Sequence, residues 1–250
     1  MLRARLSSAA GVLAIGFVCG LVAVVQAVPQ NRVDEIIAKN LEAKGGFDRV
    51  QAVTTIKQVS ILMMNGTEAK MTSYNKRPNL QRIETKVEGK TVISSFDGET
   101  AWMVNPFMGI ERPIVLGAAQ NAQIREQSIF DGPLPNLKQL ELTATVEGIE
   151  TIGARKVIDL KLVGADKQVR HVYLDATTYL EAKITTEQVS GGNKMKLEQE
   201  LLDYRDVKGL KLPFLIRTLV NGAVQSEIRV QTIEFNEKMD DSLFRIPKGL

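Results

Sequence analysis

His171 is the only side chain of the chain that could serve as an imidazole base, since it is the single histidine. It lies in the alternating run Val169–Asp175, beside Tyr173 and Asp175. A hydrolytic triad would pair such a base with a serine nucleophile. The segment has no G-x-S-x-G elbow, and a strand histidine without a catalytic role is the favoured interpretation. A hydrolase that uses His171 is therefore kept as the weakest of three functional hypotheses.

The other reactive side chains do not form a recognisable metal or phosphate site. The chain has one histidine, and its single cysteine lies within the first 27 residues, which excludes metal sites built on nitrogen and sulfur beyond that segment. Two close carboxylate pairs exist, and they resemble a turn (Asp203 and Asp206) and a helix cap (Asp240 and Asp241). No glycine-rich phosphate loop is present. We predict a protein without catalytic residues, metal or cofactor.

The first 27 residues have the pattern of a secretory signal peptide. Arg3 and Arg5 form a basic start, an apolar run extends from about Val12 to Val25, and small residues end it at Ala27. The run is short for a membrane-spanning helix, although a retained N-terminal anchor is the alternative. We predict cleavage and export to the periplasm, with residues 28–250 forming a single domain.

Composition limits the partners of the exported chain. It contains no cysteine, so a hydrophobic core and not disulfides must hold it together. Of 32 basic and 29 acidic side chains, the signal removes Arg3 and Arg5 and leaves 30 against 29. This balance argues against a nucleic-acid partner, which would need a basic face. We expect a monomer.

The elements that must position any site centre on a predicted meander from Met71 to Phe107. It contains four strand-like runs, Met71–Lys76, Leu80–Val87, Thr91–Phe96 and Thr100–Val104, separated by turns at Pro78-Asn79, Glu88-Gly89 and Asp97-Gly98. Glycine suits the positive φ of tight hairpins, and proline cannot donate to a strand ladder. These strands are therefore predicted to be neighbours in one antiparallel sheet.

The segments around the meander complete this sheet. Arg32–Lys44 has one apolar helical stripe and ends at Gly45-Gly46, so we predict an amphipathic helix that lies on the sheet. Thr54–Met64 is predicted to be a strand that turns at Asn65-Gly66. Ile114–Phe130 follows Pro113, lacks alternation and is predicted to be a helix or a pair of helical turns.

The second half is again predicted to be strand after strand. Turn residues separate the runs Leu142–Gly148, Ala154–Val163, Gln168–Leu174, Leu180–Val189, Lys194–Tyr204, Leu212–Val220 and Ala223–Phe235. The charged run Lys194–Asp203 predicts a solvated outer face. About eleven strands with one or two helices make a mainly β fold, and so large a sheet must curl. Helices over a curled sheet leave an apolar concavity, where a ligand would bind.

Two motifs of the meander resemble a known family. They are Lys76-Arg77-Pro78-Asn79-Leu80, and Asp97-Gly98-Glu99-Thr100-Ala101-Trp102 followed by Asn105-Pro106-Phe107, about twenty residues apart. In sequence, order and spacing they are similar to the periplasmic lipoprotein carrier of Gram-negative bacteria, the LolA type. The signal peptide, the early helix and the closing Leu243-Phe244-x-x-Pro247 are similar in position.

The resemblance implies an incomplete, unclosed β-barrel with helices covering its concave face, in which the acyl chains of a lipoprotein bind. It also implies a role for Arg77, which would bond backbone groups of the lid and hold the closed, empty form until acyl chains enter. A guanidinium suits this role because it donates to several carbonyls at once. The alternative is a surface arginine beside a turn. An inner-membrane donor and an outer-membrane acceptor would be the protein partners.

Four further residues are candidates for the ligand site. Trp102 would either fill the core or contact ligand, and the core is the favoured place. Phe107, Met63 and Met103 have the aromatic or flexible character of an adaptable acyl pocket, although methionine fills gaps in any core.

The sequence thus predicts a non-catalytic periplasmic carrier that binds the acyl chains of lipoproteins or another lipid in an apolar cavity and hands them to an outer-membrane acceptor. The alternative is an envelope sensor or scaffold domain of the same fold, whose concave face receives a protein or peptide.

Overall fold

A single curved sheet of thirteen antiparallel strands dominates the computed structural model, which describes residues 30–165, 167–190 and 193–247. The strands are β1 Thr55–Met64, β2 Thr67–Lys76, β3 Leu80–Val87, β4 Lys90–Phe96, β5 Ala101–Asn105, β6 Ile110–Val115, β7 Thr143–Ile152, β8 Arg155–Val163, β9 Val169–Asp175, β10 Glu181–Ser190, β11 Asn193–Val207, β12 Leu210–Val220 and β13 Ala223–Phe235. Their order is β6-β5-β4-β3-β2-β1-β13-β12-β11-β10-β9-β8-β7. Since β6 and β7 form the two edges, the barrel is not closed.

Three α-helices accompany the described sheet: α1 Gln30–Lys44, α2 Phe47–Ala52 and α3 Ala118–Gln127. Single 3₁₀ turns occur at Pro106–Met108, Leu134–Asn136 and Asp241–Leu243. No helix in residues 30–165, 167–190 or 193–247 is long and apolar enough to cross a membrane. The predicted signal peptide lies outside the described residues.

The predicted fold class is confirmed: the protein is mainly β, with a curved, unclosed antiparallel sheet and few helices. The turns between strands have the backbone conformations and hydrogen bonds that the sequence predicts. Asn65, Gly66, Glu88 and Gly89 all take positive φ at their turns. The Asp97 carboxylate accepts hydrogen bonds from the backbone N–H groups of the two residues that follow Gly98, at 3.1 and 2.8 Å.

Four details of the structure differ from the prediction. The described sheet has thirteen strands and not about eleven. The helix predicted over Ile114–Phe130 is wrong in its first part, because Ile114 and Val115 belong to β6 and only Ala118–Gln127 is helical. Pro113 does not start a helix; it lies in an edge strand, where a missing N–H donor is tolerated. The short helix α2 was not predicted at all.

The face of the sheet that carries the helices contains two apolar regions. The first, here called the packed core, combines α1 and the 3₁₀ turn at Leu134 with β7, β8 and β9; its fully buried side chains include Val33, Leu160 and Val172. The second lies below α2, where Val53 packs with Leu210 of β12 and Phe235 of β13. These two regions differ in how completely they are filled.

The opposite face of β10–β13 carries a charge ladder that runs across the strands. It consists of ion pairs between neighbouring strands and along them: Lys183–Glu198 at 3.0 Å, Lys196–Glu198 at 3.1 Å, Arg217–Glu200 at 3.1 Å, Arg217–Glu227 at 3.2 Å and Arg229–Glu227 at 2.6 Å. Strand register places this ladder on the side away from α1, since the adjacent Ile184 packs against the packed core.

Candidate functional site

Arg77 lies directly after β2, and its guanidinium makes four hydrogen bonds. Its Nε donates to the carbonyl of Val53 at 2.6 Å, and one Nη donates to the carbonyl of Val50 at 2.8 Å. Both Nη atoms bond the Asp131 carboxylate, at 2.5 and 2.7 Å. Such a fork is the strong, orientation-specific form of an arginine–carboxylate pair.

These contacts join two segments that are far apart in sequence. The Val50 carbonyl lies in the last turn of α2 and also accepts the Val53 N–H at 3.3 Å. The Val53 carbonyl directly follows the helix, where carbonyls lack intrahelical partners. Asp131 lies just after α3, and the guanidinium also lies over the Phe130 ring, 4.4 Å from its centroid. We call Arg77, Asp131 and these two carbonyls the clasp. It fastens α2 to the segment after α3.

An apolar pocket lies against the clasp. It has a volume of about 110 Å³. Val50, which carries a clasp carbonyl, belongs to its wall, and the other apolar side chains of the wall are Val53, Ile56, Phe130, Leu210, Leu212 and Phe235. The polar residues that line it are Lys44, Lys211 and Asp131. Because Asp131 is both a wall residue and a clasp residue, opening the clasp would open the pocket.

The segment that covers this pocket is held mainly at its ends, and of its residues Val50 packs partly against the cluster of Val53, Leu210 and Phe235. The helix α2 has six residues and none of them is buried. It follows Gly45, whose φ of +127° and approach to the Gly209 carbonyl both require glycine, because a Cβ there would lie 2.3 Å from that oxygen. At the other end, the Asn236 side chain donates to the Ala52 carbonyl at 3.2 Å. α2 can therefore act as a lid.

The helix α3 crosses the same face with similarly few packing contacts. None of its residues is buried. Asn121 accepts a hydrogen bond from the Ala101 N–H of β5 at 2.5 Å and donates to the Glu99 carbonyl at 3.2 Å. At its far end Glu126 pairs with Arg170 of β9 at 2.6 Å. Polar contacts thus hold α3 between β5 and β9, near opposite edges of the open sheet.

A second ion pair lies beside the pocket. Lys44, the last residue of α1, pairs with Glu181 at the start of β10. The Tyr204 hydroxyl donates to the Glu181 carbonyl oxygen at 2.9 Å and lies 3.4 Å from its carboxylate. Burial, aided by the Glu181 charge, raises the pKa of Tyr204, so its hydroxyl stays protonated and donates. Both members of the Lys44–Glu181 pair are largely buried.

The structure does not bring the other predicted ligand residues to this pocket. Trp102 is fully buried and its indole N–H donates to the Phe244 carbonyl at 2.7 Å, on the opposite face of the sheet. Met63 is half-buried and lies, by alternation along β1, on the face opposite to Ile56. Met103 lies on the pocket face of β5, several strands away from β1.

Phe107 lies apart from all of these residues. It is 49% exposed in the 3₁₀ turn between β5 and β6, with the Lys90 ammonium 5.2 Å from its ring centroid. Its contribution to ligand binding, like that of Trp102, Met63 and Met103, stays a prediction.

His171 lies on the face opposite to the pocket. Its Nδ1 is 2.8 Å from the Asp159 carboxylate, and its ring stacks on Tyr173. Burial raises the pKa of Asp159, while the hydrogen bond to His171 acts in the other direction. No serine bonds this imidazole among the described residues. Within the same residues, no group of three or more His, Cys, Asp or Glu side chains could hold a metal ion.

Sequence reasoning singled out Arg77 and expected it to bond backbone groups of a lid, but it identified none of the residues that Arg77 contacts. Asp131 is not among the candidates that the sequence provides, and α2 is not predicted because six residues are too few to show a helical period. The Lys44–Glu181 pair spans 137 positions, so no local pattern could reveal it.

Comparison with solved structures shows what the fold is similar to. A LolA superfamily protein from Nitrosomonas europaea superposes with a TM-score of 0.58 at 14% identity, covering 85% of this chain and 97% of that one. A putative outer membrane lipoprotein-sorting protein domain from Vibrio parahaemolyticus gives 0.53 at 11%, covering 83% and 97%. A DUF1329 family protein from Desulfovibrio piger gives 0.57 at 11%, covering 85% and 97%.

Sequence comparison adds nothing to this result, since no family model matches the chain and no curated protein is similar to it. The likeness is therefore one of architecture, and it agrees with the resemblance carried by the Arg77 and Trp102 motifs. The protein has a LolA-like fold.

Proposed function

We propose that this protein is a non-catalytic carrier of the bacterial periplasm that binds the acyl chains of a lipid in the pocket below α2. The observation that carries the proposal is the clasp: Arg77 fastens a lid without buried residues over an apolar pocket. Each methylene transferred from water into such a pocket contributes about 0.8 kcal/mol. Capture therefore needs no metal, cofactor or chemical step.

The size of the pocket supports a closed, empty state. Its 110 Å³ is well below the roughly 300–1,000 Å³ typical of sites for small molecules. An acyl chain can enter only if the lid moves, and movement of α2 away from Phe130 breaks the clasp. The same contacts therefore resist loading and favour release, which suits a carrier that must hand over its cargo.

Lipoproteins are the cargo that we propose first. The motif resemblance supports this choice, as does the similarity to the Vibrio parahaemolyticus domain described as a lipoprotein-sorting protein. An inner-membrane donor and an outer-membrane acceptor would then exchange cargo with the protein. Export by the predicted signal peptide would bring it to that compartment.

Co-purification tests the carrier proposal. The chain is produced with its signal peptide in a Gram-negative host, purified from the periplasm and extracted for mass spectrometry of acyl lipids. We expect bound acyl chains in the natural protein and fewer in Leu212→Trp, which fills the pocket from β12. Natural protein that is empty and also fails to bind added palmitic acid would contradict the proposal.

Replacing Arg77 tests the clasp itself. Charged hydrogen bonds contribute about 1.5–3 kcal/mol each, so their loss in Arg77→Leu should destabilise the closed form and raise acyl-chain retention by about tenfold. Retention is measured from the rate at which a fluorescent fatty acid leaves the protein for acceptor vesicles, and a slower rate means greater retention.

Arg205→Leu is the matched control for that measurement. Arg205 also forms a fork with a carboxylate, Asp203, and lies 4.6 Å from the centroid of an aromatic ring, Phe214, but it is 57% exposed and bonds no lid carbonyl. We expect its loss to leave retention within about twofold. Equal effects of the two variants, or no effect of Arg77→Leu, would remove the clasp from the mechanism.

A second candidate function is an envelope sensor or scaffold that binds a protein. The observation that favours it is the exposed apolar surface around the edge strand β6: Met108 is 69% exposed, and Phe107, Ile114 and Val115 are exposed as well. An edge strand can pair with an added peptide strand. A scaffold should purify without lipid and should lose its partner in Met108→Ser/Val115→Ser, whereas a carrier should keep its lipid in that variant.

A further inference from the structure

We propose that this pocket also takes a lipid with an anionic headgroup, a carboxylate or a phosphate, which is a cargo distinct from the acylated end of a lipoprotein, and that Lys44 binds that headgroup. This inference rests on the proposed function, because it assumes that the pocket takes an acyl chain. It goes beyond that function by naming a second class of cargo and the residue that recognises its polar end.

Lys44 is placed to meet a headgroup. It lines a pocket whose wall is otherwise mostly aliphatic and aromatic, and its side chain is only 24% exposed. A cation in such surroundings attracts an anion more strongly than it would in water, because the local dielectric constant is lower. An acyl chain that fills the apolar part of the pocket brings its headgroup to the polar residues of the lining.

The ammonium group can accept this partner without leaving Glu181. A lysine side chain has three N–H donors, and the bond described for Lys44 uses one of them. The flexible stem of lysine allows the remaining donors to turn toward the pocket. Glu181 in turn is supported by the Tyr204 hydroxyl, so the pair need not break when a headgroup arrives.

The other charged residues of the lining favour an anion over a cation. Lys211 is half-exposed and pairs with Asp206 only at 3.5 Å, so its ammonium is weakly held. The carboxylate of the lining, Asp131, has both oxygens engaged by Arg77. A cationic headgroup would therefore meet a carboxylate whose charge Arg77 already balances. An anionic headgroup would meet two ammonium groups: Lys44 keeps N–H donors beyond its bond to Glu181, and Lys211 is only weakly held.

The test compares lipids that share a chain and differ in charge. Palmitic acid and methyl palmitate are titrated into the purified, delipidated protein at pH 8, where the acid is ionised. We expect the natural protein to bind palmitate about tenfold more tightly than the ester. The palmitoyl forms of lysophosphatidic acid and monoacylglycerol repeat the comparison for a phosphate, and the larger preference shows which anion the site suits.

The variant must remove the ammonium without leaving a buried charge behind. Lys44→Met alone would leave Glu181 buried without its partner, which can destabilise the fold, whereas an apolar pair of similar size is often neutral or stabilising. Lys44→Met/Glu181→Leu is therefore the main variant. Lys39→Met, on the exposed side of the same helix and paired with Glu35, is the matched control.

The expected result is that Lys44→Met/Glu181→Leu binds palmitate and methyl palmitate equally, while Lys39→Met keeps the preference. The inference is overturned if the double variant keeps the preference, or if the natural protein binds the ester as tightly as the acid. Failure of the natural protein to bind either lipid would overturn the carrier function, and the inference with it.

Discussion

The packed core and the pocket lie on the same face of one sheet, yet only one of them is filled. Above β7–β9, the fifteen-residue helix α1 inserts Val33 and Ile36 among side chains such as Leu160, which has no exposed surface. Above β1, β13 and β12, the six-residue helix α2 buries none of its residues and leaves a cavity of about 110 Å³.

The difference shows how one sheet can be firmly packed in one region and hollow in another. A helix long enough to present several apolar turns can fill the space above a curved sheet, whereas a single turn and a half cannot. Interiors packed to normal density do not deform easily. We infer that the packed core contributes most of the free energy of unfolding. The helix over the pocket is held instead by a few directed hydrogen bonds.

The largest expected effect comes from removing volume from the packed core. Leu160→Ala deletes three carbons from a fully buried side chain, and substitutions of this kind cost about 3–5 kcal/mol. Urea unfolding of the variant and the natural protein measures this loss. Because Leu160 does not line the pocket, the affinity of the folded variant for palmitate should remain within about twofold.

A leucine-to-alanine substitution beside the pocket should lower the free energy of unfolding much less. Leu212 is half-buried and already borders empty space, so Leu212→Ala should lower the free energy of unfolding by only about 1–2 kcal/mol and should change acyl-chain affinity more than Leu160→Ala does. Urea unfolding and a palmitate titration check both parts. Equal losses of stability at the two leucines would mean that the regions are packed alike, and the comparison would fail.

The smallest effect is expected from the outer charge ladder, which belongs to neither region. Burial acts to raise the pKa of Glu198, but the hydrogen bonds from Lys183 and Lys196 outweigh it and hold the pKa below its ordinary value of 4.5. A carboxylate with a lowered pKa adds stability above its unfolded-state pKa and loses it as the pH falls through its folded-state pKa.

Glu198→Gln should therefore reduce the loss of stability as the pH falls below about 4.5, by no more than about 1 kcal/mol since such pairs are partly screened. Thermal unfolding across that range measures the difference. Palmitate binding at pH 7 serves as the control and should not change. A steeper acid loss in the variant than in the natural protein would contradict the assigned direction.

Local chemistry made most of the fold predictable. Alternation located the strands, and Asn65-Gly66 and Asp97-Gly98 located their turns, because both signals act within a few residues of chain. The prediction failed where local signals were ambiguous. Ile114 and Val115 are apolar residues after a proline, and only their position at the sheet edge makes them a strand.

The candidate site was also predictable only in part. The motif around Arg77 pointed to this residue, but its partners are known only from the tertiary structure. Asp131 is 54 positions away in the sequence. The carbonyls that Arg77 bonds lie at the end of a six-residue helix, which is too short to be predicted from periodicity. Trp102 illustrates the reverse, since its motif is local but its place against Phe244 depends on a segment 142 residues later.

The sequence by itself determined that the chain makes an antiparallel sheet too large to stay flat, that one helix covers part of it, and that an arginine follows the second strand. Only the tertiary structure decided which part of that sheet stays hollow and which charges meet beside the hollow. Strand and turn propensities act between neighbours in the chain, whereas a cavity and a long-range ion pair depend on how the whole sheet curves and on which segments it brings together.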